Sequence, residues 1–163
     1  MPIPSRPELH FNSFDELLAD LEKLHTSGWE KSGQWSLAQV CDHLARGMNC
    51  MLDGGMPYIP GPFRWIARAM VRRMVRKQKY PSLKVSAPKA MKPVPDITEA
   101  AAILDVQAAV ARLQQLSGST VYVHPFGVLS MHDFHQMVLL HAAHHLAYLR
   151  PQSGIMQAAQ KAG

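Results

Sequence analysis

Apolar positions along the chain recur every three or four residues in five stretches, and the residues at their ends read as helix starts and stops. The first, LLADLEKLH, follows a Ser13/Glu16 pair with capping-box spacing and runs to Gly28. The second repeats the device with Ser36 and Gln39 and ends at Asp53-Gly54-Gly55, where glycine suits a left-handed cap. The third spans 62–80, after a proline and before Pro81. The fourth, 97–116, is alanine-rich and strongly helix-forming. The fifth, 130–150, has Ser130 as N-cap, Asp133 in its first turn and Pro151 as its stop. Residues 82–96 hold three prolines and three lysines and read as an extended connection. The one β-like run is Thr120–Val123, broken by Pro125 and Gly127. The pattern predicts an all-α bundle of four substantial helices. It adds an extra short N-terminal helix and a long Pro/Lys-rich connection that can carry a crossover.

The last helix contains HAAHHLAYLRP, residues 141–151, with three histidines in five positions. At about 100° per residue, Phe134, Met137, Val138, His141, His145, Tyr148 and Leu149 share one sector. Two imidazoles one turn apart therefore project where the pattern wants leucine, and His144 lies at the edge. Buried imidazoles need partners for their ring nitrogens. A divalent metal is one such partner, and histidines at i and i+4 can share one ion. Core histidines bonded to carbonyls are the other reading. A third ligand has to come from another helix, and His43 in SLAQVCDHLARGM is the best candidate. Its helix has a core stripe of Leu37, Cys41, Leu44, Met48 and Met51, with His43 on the shoulder and Asp42 on the polar, solvent-facing side.

QWSLAQVCDHLARGM (34–48) and HAAHHLAYLRP (141–151) together resemble the DinB/YfiT-like superfamily. With FGVLS (126–130), they are most similar to a branch that is a domain of unknown function. The resemblance covers roughly residues 8–151, leaving 152–163 as a small, polar tail expected to be flexible. It implies an up-down-down-up four-helix bundle with a metal held by His43, His141 and His145 and with open coordination positions. It also implies kinship with transferases and isomerases that use low-molecular-weight thiols such as bacillithiol, mycothiol or glutathione.

A three-histidine divalent ion keeps its full charge and can lower the pKa of a bound thiol or water. Nitrogen ligands alone do not choose among the divalent ions; zinc or nickel is expected, and iron or manganese also fits. The expected activity is transfer to, or hydrolysis of, a small electrophilic substrate. The alternative is a non-catalytic module whose histidines are structural or bind metal weakly, acting through dimerisation or a basic helix. Orienting partners are sought at His144, Asp133 and Tyr148. His144 reads equally as a surface residue, and Asp133 as a charge favourable to the helix dipole. His124, on the loop before the last helix, is an acid-base candidate or a turn residue beside Pro125.

Charge adds one further feature. The net charge is +5, much of it from RWIARAMVRRMVRKQK (64–79). There Arg68, Arg72 and Arg76 form a stripe opposite Ile66, Met70 and Met74. It reads as a solvated face, an anion-binding strip or a weak membrane-surface contact. No groove-reading motif supports nucleic acid binding. Ten methionines offer adaptable apolar surface, and a homodimer is expected. Cys41 and Cys50 lie about 13 Å apart on one helix, too far for a disulfide. They read as buried reduced thiols, which with no secretory leader points to the cytoplasm.

Overall fold

The computed structural model describes residues 3–57, 59–81 and 87–152. Its elements are α1 (Phe14–Ser27), β1 (Trp29–Lys31), α2 (Leu37–Asp53), α3 (Gly61–Lys77) and a 3-10 turn (Lys89–Met91). They continue with α4 (Glu99–Gln114), β2 (Thr120–Val123), β3 (Gly127–Ser130), α5 (Met131–Leu146) and β4 (Leu149–Pro151). The protein is helix-rich, but the all-α expectation needs correction: four short strands form two antiparallel pairs, β1 with β4 and β2 with β3. Residues 153–163 of the expected tail and 82–86 of the expected connection lie outside the described residues.

The caps follow the sequence closely. Ser36 and Gln39 form a complete capping box on α2. On α1, Ser13 accepts from the Glu16 backbone, while the Glu16 carboxylate reaches one residue further, to the Asn12 N–H at 2.7 Å. Gly54 ends α2 at φ 95°, a conformation that costs glycine no Cβ clash. Helix α3 stops three residues short of the expected 80, closed by Gln78 at φ 48°. Helix α5 stops at Leu146 rather than Arg150. The residue before a proline disfavours helix, and Leu149–Pro151 instead pairs with Trp29–Lys31.

Contacts at the helix ends set their directions. Arg112, near the end of α4, grips Asp53 at the end of α2, so these two helices run the same way. Glu99, the first residue of α4, accepts from the ring of Trp29, just after α1, so α1 and α4 run oppositely. Helix α5 begins beside the end of α4, where the Met131 N–H donates to the Ser119 carbonyl. Its far end meets β1 through β4. The N-terminal strap is tied there too: Arg6 pairs with Asp20 at 2.6 Å and donates to the Leu146 carbonyl at 3.0 Å.

The core is built on α2 and α5, both covered on more than one face. Phe134, Leu146, Leu37 and Cys41 are fully buried, and so are Leu17, Leu21 and Leu24 of α1. Helix α5 is buried at Leu139, Leu140, Ala142 and Ala143 as well as at Phe134, Met137, Val138 and His141 of the expected stripe. Helix α3 packs through Val71, Met74 and Val75, while Ile66 and Met70 are exposed, so its packed face is rotated from the expected one. No helix among the described residues is long and apolar enough to cross a membrane.

Candidate metal centre

His43 projects from the middle of α2, and His141 and His145 from the last two turns of α5. One ring nitrogen from each lies within 4.8 Å of the others. The Nε2 atoms of His43 and His141 are 3.3 Å apart, and those of His145 and His141 are 3.0 Å apart. Two nitrogens each about 2.1 Å from one ion stand roughly 3.0–3.4 Å apart at right-angled to tetrahedral geometry. The observed spacings fit that range.

Proton accounting points the same way. The His43 Nδ1 faces the Met91 carbonyl at 2.7 Å, so it carries the hydrogen and Nε2 presents a lone pair. A neutral His141 Nε2 can donate to one neighbour or accept from the other, not both. Three converging nitrogens thus hold more lone pairs than the protons between them can satisfy, and a cation resolves that arrangement. Burial, with repulsion from His43 and His144, pushes the His141 imidazole down to about 3. Burial, with repulsion from His141, His43 and His144, pushes His145 lower still. Burial lowers His43, opposed by the Met91 carbonyl and the Asp42 charge. All three rings are therefore neutral at pH 7, the form in which imidazole binds metal.

The surroundings hold these rings in place. Met91 lies in the 3-10 turn that crosses α2, and Asp42 fixes the turn's far side. Asp42 is only 3% exposed, against the expected solvent-facing position. Its carboxylate accepts the Val94 N–H at 2.7 Å and Arg46 Nε at 2.8 Å. The segment covering this face of α2 is irregular, so a helix wheel cannot anticipate it. The same cover makes His43 a buried residue, 2% exposed, rather than a shoulder one. Trp35, just before the Ser36 cap, stacks on His145 with ring centres 5.4 Å apart and tilts against His43 at 4.9 Å. Tyr80 stacks on His141 at 5.1 Å and on His144 at 5.0 Å. Trp35, Tyr80 and the Met91 carbonyl had no assigned role in the sequence reading. The aromatic just ahead of the cap was the one available signal.

Two cavities reach the trio and share no lining residue. One, of about 250 Å³, is lined by Gly33, Gln34, Trp35, Val40, His144, His145 and Tyr148. The other, of about 260 Å³, is walled by His141 and a set of apolar side chains. His144 and Tyr148 thus stand beside His145. His124 sits at the β2–β3 turn, where its N–H donates to the Met51 carbonyl at 2.7 Å, and it lines neither cavity. Asp133 lies in the first turn of α5, about 12 Å along the axis from His141. Its N–H is capped by Ser130. Arg68, Arg72 and Arg76 also line neither cavity, and Arg72 and Arg76 are exposed. Cys41 is buried among apolar groups, which push its thiol up to about 12, and Cys50 is half-buried rather than buried.

Residues 4–152 match one family model, described as "Protein of unknown function (DUF1569)". The chain belongs to that family. The DUF1569 match runs from the N-terminal strap through β4, so it takes in all three histidines and both cavities. Comparison with curated proteins and with solved structures gave no significant match.

Proposed function

We propose that this DUF1569 protein is a metal-dependent enzyme whose centre is formed by His43, His141 and His145. The observation that carries the reading is the convergence of three neutral ring nitrogens, two on buried histidines and one on the half-buried His145, at 3.0 and 3.3 Å spacings. A purely structural role would pair each nitrogen with a carbonyl, as His43 Nδ1 is paired, rather than turn three towards one point. A divalent ion bound there would act as a Lewis acid, lowering the pKa of a thiol or water bound beside it. Zinc and nickel are both accepted by imidazole ligands. The protein's own groups hold the ligands and shape the approach. Met91 and Asp42 orient His43, and Trp35 and Tyr80 lock the rings of α5. His144, kept neutral by burial and lining the cavity beside His145, is placed to accept a proton there.

The directions of α1, α2, α4 and α5 support the up-down-down-up bundle of DinB-like proteins, with the N-terminal helix α1, expected to be an extra one, as a member of the four and α3 carried in the crossover. On that reading the chemistry is transfer of a thiol to, or hydrolysis of, a small electrophile. Cobalt substitution tests the centre without a known substrate. A bound cobalt(II) ion should show visible ligand-field bands, and added glutathione or 2-mercaptoethanol should bring in a sulfur-to-cobalt charge-transfer band. Bands that ignore added thiol would count against an open thiol-accepting position. No bands at all would favour the non-catalytic module.

A further inference from the structure

The cavity walled by His141 is lined by six methionines: Met51, Met56, Met70, Met74, Met91 and Met137. Ile59, Ala67, Val71, Pro81 and Phe126 complete the apolar wall. Among the described residues, only Tyr80 and His141 bring polar side-chain atoms to it, and no charged side chain lines it. Unpaired charge in such surroundings carries a large desolvation cost. Methionine is unbranched and polarizable, so a methionine wall adapts to apolar ligands of differing shape. An apolar cavity of about 150 Å³ stays dry and accepts benzene. By proportion, about 260 Å³ holds roughly ten non-hydrogen atoms. Met70 lines the cavity and is 48% exposed, which places an entrance along α3.

We infer that this cavity binds a neutral apolar small molecule of about ten non-hydrogen atoms, its one polar group lying at the His141 end. The inference deepens the metal-enzyme reading, on which it rests for the role of that polar group, by naming the substrate class. It also separates the substrate from the arginine stripe of α3, which faces elsewhere.

The test titrates 1-alkanols, from hexanol to dodecanol, into the full chain by calorimetry. Affinity should rise about fourfold per methylene, the value of one buried CH₂, and stop rising near ten carbons. Ala67→Phe, filling the cavity from α3, should weaken octanol at least tenfold and move the plateau to shorter chains. Met56→Ala, removing three heavy atoms from a half-buried wall residue, should move it to longer ones. The second variant keeps the test decisive where the first fails to fold. No saturable octanol binding, a rise continuing through dodecanol, or a plateau that neither folded variant moves would overturn the inference. Nickel stoichiometry on the same samples separates the two readings. Nickel bound without octanol overturns the apolar-substrate inference alone. Octanol bound without nickel overturns the metal centre and leaves the ligand class standing.

Discussion

Acidifying the metal-free protein should destabilise it steeply, by an amount set by the buried histidines. In the unfolded chain a histidine titrates near 6.5, whereas in the fold burial holds His141 near 3 and His145 lower. The folded values lie below the unfolded one, so the unfolded chain takes up protons first as the pH falls. Stability is fully present above the unfolded value and is lost progressively below it, down towards pH 3 for His141. Between pH 7.5 and 5.5 each such histidine contributes a loss of roughly 1.4 kcal/mol. His141 and His145 together give about 3 kcal/mol, a large fraction of a typical domain's stability.

Burial also lowers His43, His144 and His135, so they act in the same direction. His25 acts oppositely. The hydrogen bond to Glu99 raises it, so its contribution is present in acid and lost as the pH rises through its folded value. It is an exposed pair and makes only a small correction. Urea unfolding of chelator-treated protein at the two pH values, with the m-value held common, gives the difference directly. His145→Leu should remove about half of it. A loss below about 0.5 kcal/mol in the wild type would refute the claim that these rings are buried and neutral.

Three further outcomes follow from the surroundings of the trio. Asp42→Ala leaves the Val94 N–H and the Arg46 guanidinium without the buried carboxylate that they share, and frees the turn that carries the Met91 carbonyl. We expect a stability loss of about 1–3 kcal/mol in urea unfolding and a metal affinity weakened at least tenfold, with Asp42→Asn milder in both. In native protein, Ellman's reagent should titrate Cys50 and leave Cys41 unreacted until denaturant is added, since burial keeps the Cys41 thiol protonated. Trp35 lies against two of the proposed ligands, so nickel(II) or copper(II) should quench its emission in a Trp29→Phe/Trp65→Phe background, and His145→Ala should abolish the quenching.

What could be read from the sequence was whatever a single element determines by itself. Helices α2 and α4 lie within two residues of their expected ends, because caps such as Ser36/Gln39 are local. The i, i+4 pair on α5 was legible for the same reason: spacing alone puts His141 and His145 on one side. Features made by two distant segments were not. Asp42 and His43 were misplaced because their cover is the turn around Met91, an irregular segment with no periodicity to read. The end of α5 was overrun because β4 exists only through its pairing with Trp29–Lys31, and three-residue strands carry no alternation. Ile66 and Met70 were assigned to the packed face of α3 because a helix with apolar residues on several sides does not say which side is covered. The histidines that converge came from two helices, and joining them took the motif resemblance as well as the wheel.

The central claim is that His43, His141 and His145 form one metal site. Elemental analysis of tag-free protein, incubated with nickel or zinc and then desalted, beside the His145→Ala variant tests it most directly. Close to one ion per chain is expected in the wild type, with most of it lost in a variant that still folds. Equal metal in both proteins would place the ion elsewhere, and no metal in either would make the three histidines a packing feature of the fold.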